Sequence, residues 1–348
     1  MPSKLIFHIG GFKSGSTAIQ STLAKKAYSC DSRHILYPGL GPKEGIEKTK
    51  GQHGPLADAL APAKTTPAKQ RARFGQVARN IAAGDADINV ISAEKFEYTN
   101  PRLLAEAIEQ YFPAFQDDLQ IIVYVRPHAE RVLAEFAERV KHGVFHGSLE
   151  DLHARTKLLS GPMQRGFFYH PRLSLWHQVF GDRLTVRPMI RACLAQSDVV
   201  ADFFRQILGA DVAFSLTEAP QKNASPSLQD LAALRALHRA CGEGERSAQQ
   251  ERAGVQLAQI FAEDPAATAT RLALHRSLAQ DIAETYAEDA AALDRDFFAG
   301  TPMQEALAQA PQKAVEQPQS LDVADLLDAG QLRQVTAWSR ILARIVAD

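Results

Sequence analysis

The sequence predicts an α/β fold, a parallel sheet flanked by helices with a helical C-terminal extension. Three observations lead there. Short apolar runs rich in strand formers alternate with helical stretches through the N-terminal part of the chain. The run Leu119 to Val125 (LQIIVYV) is apolar on both faces, as a central parallel strand must be. From Ser227 onward the chain is rich in Ala and Leu and reads as helix, without a strand.

The elements follow in order. Leu5-Ile6-Phe7-His8-Ile9 is the first strand; Gly10-Gly11 stops it, and Ser16 opens a helix to about Lys26. Ile35-Leu36-Tyr37 is a second short strand ended by Pro38-Gly39, and 40–55 reads as an exposed loop. A helix over 67–83 leads to a third strand, Ile88 to Ile91, that ends in Ser92-Ala93-Glu94. A helix near 101–111 precedes the strong strand, which runs into Arg126-Pro127 and a helix to about His142. A helix near 171–180 precedes a weaker fifth strand, Leu184-Thr185-Val186. The expected organisation is an α/β nucleotide-binding domain over 1–215, a helical extension over 216–310, and a linker with two short helices over 311–348.

The chain has 348 residues, 45% of them hydrophobic, enough for a sizeable core. Lys and Arg number 39 against 40 Asp and Glu, so the net charge of -1 argues against a general nucleic-acid or membrane-surface binder but leaves room for a local basic patch. Cys30, Cys193 and Cys241 are far apart and form no CxxC pair, which suggests neither a zinc site nor a disulfide framework. No apolar run approaches the ~18–20 residues of a membrane helix, and the N-terminus lacks a signal-peptide h-region. The expectation is a cytoplasmic protein with no integral membrane segment.

The informative segment is His8-Ile9-Gly10-Gly11-Phe12-Lys13-Ser14-Gly15-Ser16-Thr17. A glycine turn between a strand and a helix aims backbone N–H groups and the helix dipole at one point, and both favour a phosphate. Lys13 adds positive charge, and Ser16 and Thr17 add hydroxyls. The arrangement is P-loop-like but not a Walker A motif, because Ser16 stands where that motif has its lysine and Lys13 lies within the loop. A lysine there can bridge a departing phosphate and the group being transferred, with no Mg²⁺ site implied. His8 is expected to pack under the loop. His142 and His146 stand four apart, but Gly143 interrupts and no third metal ligand is evident.

The stretch FHIGGFKSGSTAIQSTL resembles the 5′-phosphosulfate loop of sulfotransferases that use 3′-phosphoadenosine 5′-phosphosulfate (PAPS), through His8, Ile9, Gly10, Lys13, Gly15, Thr17 and Gln20. The likeness is to the bacterial, carbohydrate-sulfotransferase-like branch. It implies that Gly11, Phe12, Lys13, Ser14, Gly15, Ser16 and Thr17 bind the donor. Arg126-Pro127-His128-Ala129-Glu130-Arg131 is similar to the family's second cofactor segment, which places Arg126 on the 3′-phosphate; Ala134 stands where the family has a serine and Phe136 where it has a tyrosine. Glu94-Lys95 resembles the family's Glu-Lys pair whose glutamate is the base, and His53 in GQHGPLADAL is a rival base. YHPRLSLWHQVFGDRLTVRPM, the stretch with Asn223, Ser225 and Leu228, and AEDAAALDRDFF extend the resemblance over about residues 4–300.

The resemblance implies sulfuryl transfer from PAPS, with no metal required, to a hydroxyl or amine acceptor, a carbohydrate, glycolipid or small molecule, and no nucleic-acid partner. Lys13, with Glu94 or His53, would be catalytic. A P-loop phosphotransferase is a second reading; it needs a lysine after Gly15 and an Mg²⁺-holding Asp at a strand end, and neither stands there. A nucleotide-binding protein that has lost activity is a third, favoured by Ala134 and opposed by Lys13 and Glu94.

Overall fold

The structure is a computed structural model that describes residues 3–41, 51–61, 66–158, 167–217, 226–241, 248–264 and 269–347. Most of the expected 40–55 loop, with Asn223 and Ser225, lies outside them. Its strands are β1 (Lys4–His8), β2 (Tyr28–Ser29), β3 (Ile35–Leu36), β4 (Ile88–Ser92), β5 (Leu119–Val125), β6 (Leu184–Pro188) and β7 (Ser215–Leu216). The helices are α1 (Ser16–Lys25), α2 (Gly54–Asp58), α3 (Pro67–Ala82), α4 (Pro101–Tyr111), α5 (His128–Lys141), α6 (Leu149–Thr156), α7 (His170–Phe180), α8 (Val199–Leu208), α9 (Leu228–Ala240), α10 (Ala248–Glu263), α11 (Arg276–Phe297), α12 (Pro302–Ala308), α13 (Ala310–Lys313), α14 (Val323–Leu326) and α15 (Ala329–Ala347). The chain divides into two compact units.

The first unit comprises residues 1–127, 159–222 and 288–304. Its sheet has five strands in the order β3-β4-β1-β5-β6, every pair parallel. The expected parallel α/β architecture is therefore present, with helices flanking the sheet. The side-chain period of two divides the strand residues between two faces. Ile6, Val90, Ile122 and Tyr124 join a core with Ile19 and Leu23 of α1 and Val200, Phe203 and Ile207 of α8. The odd-numbered set packs oppositely: the Phe7 ring stands edge-on to Phe96 at 5.7 Å and Phe112 at 6.2 Å, and Phe74 stacks on Tyr111 at 5.5 Å. Burial on both faces explains why β5 reads as an unbroken apolar run.

The sheet order also selects a crevice. The chain leaves β1 toward the β3 edge and leaves β5 toward β6 at the opposite edge. The carboxyl ends of these adjacent strands are thus a topological switch point, the position at which open α/β sheets bind ligands.

Buried polar groups pin this unit. Asp202, 1% exposed, accepts from the Tyr124 hydroxyl at 2.8 Å, from Arg187 Nε at 3.0 Å and Nη2 at 2.7 Å, and from the Ala195 amide at 3.0 Å. Burial first, and then the Asp202 charge, hold the Tyr124 phenol well above its ordinary pKa. Asp289 accepts from the amides of Tyr169 and His170 at 2.9 Å each and so caps the start of α7. The two-residue pair β2 and β7 is antiparallel and was not anticipated, since two residues carry no periodicity.

The second unit comprises residues 128–158, 223–287 and 305–348, and its named elements are all helical among the described residues. Within it α9 packs against α5, α10, α14 and α15. His142 lies between two carboxylates, Glu138 at 3.0 Å and Glu251 at 2.7 Å, which accounts for it without a metal. The 310–320 stretch is not a plain linker: α13 occupies its start, and Val315 exchanges backbone hydrogen bonds with Leu274 and Arg276 at 2.9 Å. The terminal helices are not both short, since α15 runs for 19 residues.

Replacing Asp202 should separate structural from local effects in the first unit. Asp202→Ala strands the Tyr124 hydroxyl and Arg187, and is expected to cost on the order of 3 kcal/mol, read as a lower midpoint in urea denaturation.

Candidate active site

The strand–loop–helix unit at the switch point is built by glycine sterics. Gly10, Gly11 and Gly15 all have positive φ, between 85° and 94°, and Lys13 joins them at 62°. A Cβ on Gly11 would lie 1.9 Å from the Tyr124 carbonyl oxygen, and one on Gly10 would lie 2.5 Å from the Glu94 Cα. Only glycine permits both approaches. The loop is thereby wedged between the end of β5 and the turn that follows β4.

The turn closes on Gly11, whose carbonyl accepts from the Ser14 amide at 3.1 Å, from the Ser14 hydroxyl, and from the Ser16 hydroxyl at 3.4 Å. Ser14 and Ser16 are buried by these bonds, whereas Thr17 is exposed and Phe12, Lys13 and Gly15 are half-buried. Helix α1 starts at Ser16 with no side-chain cap and no acidic residue in its first turn. Its first amides, those of Ser16 and Thr17, have no intrahelical acceptor and remain available to an anion.

Two residues that sequence reasoning did not single out complete the loop's support. Glu97 is 3% exposed and Arg172 of α7 is 1% exposed. Glu97 Oε1 pairs with Arg172 Nη2 at 2.6 Å, and Glu97 Oε2 accepts from the Phe12 amide at 3.0 Å. The Arg172 guanidinium stands 5.0 Å over the Tyr98 ring, which in turn lies 5.6 Å from Phe12. One buried carboxylate thus fixes a loop amide. The only sequence signal was proximity to Glu94; burial and the Arg172 partner are tertiary facts.

Glu94 opens the turn after β4, half-buried, with its Cα against Gly10. The structure therefore brings Glu94 beside the lysine-bearing loop. Lys95 turns outward to an exposed pair with Asp58 at 2.8 Å. Arg126 follows β5 at the other side of the crevice, half-buried, its Nη2 4.0 Å from the Met189 sulfur. Ala134 is half-buried on α5, in the second unit.

His53, the other candidate base, lies between β4 and the segment after β3. It is fully buried, its Nδ1 accepts from the Ser92 amide at 3.1 Å, and its Nε2 donates to the Pro38 carbonyl at 2.9 Å. A backbone N–H on Nδ1 requires the neutral Nε2–H tautomer. Both ring nitrogens are used, and burial lowers the pKa to about 4. The ring ties β4 to the segment after β3. His8 lies at the end of β1, as expected under the loop, with Nδ1 2.7 Å from the Ser92 hydroxyl and its pKa lowered by burial to about 3. Among the described residues no cluster of three or more His, Cys, Asp or Glu could hold a metal, and no helix is long and apolar enough to cross a membrane.

Two measurements check this frame. His8 and His53 bind protons near 6.5 when unfolded but only near 3 and 4 when folded, so the unfolded chain holds more protons between. Their contribution is complete above about pH 6.5 and declines as pH falls, by about 1.4 kcal/mol per unit for each histidine; urea midpoints between pH 7 and 4.5 should show the decline, and His53→Gln should make it shallower. Glu97→Ala leaves Arg172 buried without its carboxylate and is expected to cost about 3–5 kcal/mol by the same assay.

No family model and no curated protein matches the chain. A crystal structure of a sulfotransferase from Alicyclobacillus acidocaldarius aligns with a TM-score of 0.40 and 12% sequence identity, covering 85% of this chain and 96% of that one.

Proposed function

We propose that this chain is a sulfotransferase that moves a sulfuryl group from PAPS to a hydroxyl or amine acceptor, a carbohydrate or glycolipid. The observation that carries the reading is the loop between β1 and α1, with Lys13 inside the glycine turn and the uncapped start of α1 directly after it. A triphosphate-binding loop needs its lysine after the last glycine, where this chain has Ser16.

In this reading the amides of Ser16 and Thr17 hold the phosphosulfate, with Gly11, Phe12, Ser14 and Gly15 shaping the turn. Lys13 offsets the charge that develops on the leaving nucleotide. Arg126 binds the 3′-phosphate through charge-assisted hydrogen bonds and orients the donor. Glu94 takes the acceptor proton, being the half-buried glutamate whose backbone abuts Gly10. His53 braces the site and does not titrate in it. The donor supplies an activated sulfuryl group: a bond forms from acceptor oxygen or nitrogen to sulfur as the bond from sulfur to phosphate oxygen breaks, and 3′,5′-phosphoadenosine leaves with the electron pair.

The test is transfer from labelled PAPS to an acceptor panel, run with calorimetry against 3′,5′-phosphoadenosine. Lys13→Ala and Glu94→Gln should each lower transfer about 100-fold or more while nucleotide binding changes far less. Neither binding nor transfer would overturn the reading. Binding without transfer to any acceptor favours an inactive relative, and Mg²⁺-dependent turnover of ATP a phosphotransferase.

A further inference from the structure

The terminal helix α15 has a composition unlike that of the chain. Overall the charges nearly cancel, at -1. Within Ala329–Ala347 there are three arginines, Arg333, Arg340 and Arg344, and no acidic residue. All three are exposed, and none makes an ion pair with a described residue. The same helix leaves large apolar side chains in solvent: Trp338 is 63% exposed, Ile341 46% and Ile345 63%.

Helical geometry orders these groups. At ~100° per residue, Trp338, Ile341 and Ile345 fall within one stripe ~60° wide, and Arg333, Arg340 and Arg344 fall within a second stripe of ~40° beside it. A third face, with Ser339 buried and Val335 and Leu342 half-buried, is directed at α9 and α10. The helix therefore already has its protein-facing side, and the Trp–Ile stripe is a separate surface flanked by unpaired cations.

We propose that α15 docks on an anionic lipid surface. Trp and Ile side chains enter the boundary between headgroups and acyl chains, and the adjoining arginines reach anionic headgroups along their apolar stems. The tryptophan suits that depth, with an apolar body and one N–H for the interface. A second copy of this chain is a poorer occupant, because a matching α15 brings three more arginines and no carboxylate. Asp322, Asp325 and Asp328 precede the helix and Asp348 follows it, so the cationic stretch is confined to α15 itself and the net charge of the chain conceals it. The inference is independent of the catalytic reading.

The experiment is flotation of the full chain with vesicles of phosphatidylcholine alone or with phosphatidylglycerol. Of the two tryptophans, Trp176 is 1% exposed, so a blue shift of emission on binding reports Trp338. The expected result is flotation with the anionic vesicles only, a blue shift, and loss of both on adding salt. Arg340→Gln and Arg344→Gln should each weaken binding about fivefold, and Trp338→Ser should weaken it with the fold retained by circular dichroism. The proposal is overturned by absence of flotation with anionic vesicles, by equal flotation with both compositions, or by a dimer in light scattering whose Trp338 emission is insensitive to vesicles.

Discussion

The close approach of the β1–α1 loop to its neighbours is the constraint on which the first unit depends. Gly11 lies so near the Tyr124 carbonyl, and Gly10 so near the Glu94 backbone, that no side chain fits at either place. That proximity sets where α1 begins, and it brings the chain after β4 to the loop. It also couples sites far apart in sequence, because the Tyr124 hydroxyl is itself held by Asp202, which Arg187 in turn pairs with. A lysine and a carboxylate-bearing turn meet at the switch point because two glycines let them.

The polar groups behind this loop follow one electrostatic rule. Each buried group is either neutral or compensated, as a low-dielectric interior requires. His8 and His53 are kept neutral by burial. Glu97 has Arg172 against one carboxylate oxygen and a loop amide on the other. Above this layer, at the mouth of the crevice, Lys13, Glu94 and Arg126 are only half-buried. A supporting layer whose polar groups are neutral or paired keeps the loop in one geometry.

Much of the sheet was legible because parallel strands are buried on both faces and so read as apolar runs; β5 and β4 are the clear cases. The loop was legible because glycine spacing and the position of Lys13 are local facts. Burial was not legible. His53 offers the same imidazole whether it is solvated or enclosed, and only the packing between β4 and the segment after β3 decides that it is a brace. Arg172 lies in a stretch that resembles the family but is not itself one of the matching positions, and its partner Glu97 is 75 positions away. β2 and β7 were too short to show a period, and the polar composition of 310–320 hid the pairing of Val315 with the chain around His275.

Charge carries the same lesson at a larger scale. A net charge near zero excludes a uniformly basic surface, but it places no limit on segregation, because interaction with a charged surface depends on charge within about a Debye length, ~10 Å at ordinary ionic strength. At ~1.5 Å per residue Arg340 and Arg344 are ~6 Å apart and act on an anionic surface together, with Arg333 ~10 Å further along the helix. Carboxylates more than a Debye length away are screened from that encounter, whereas Asp328 and Asp348 adjoin the ends of the helix. The mean of -1 and a cationic helix are therefore compatible, and the distribution of charge along the fold, rather than its sum, decides what each surface can meet.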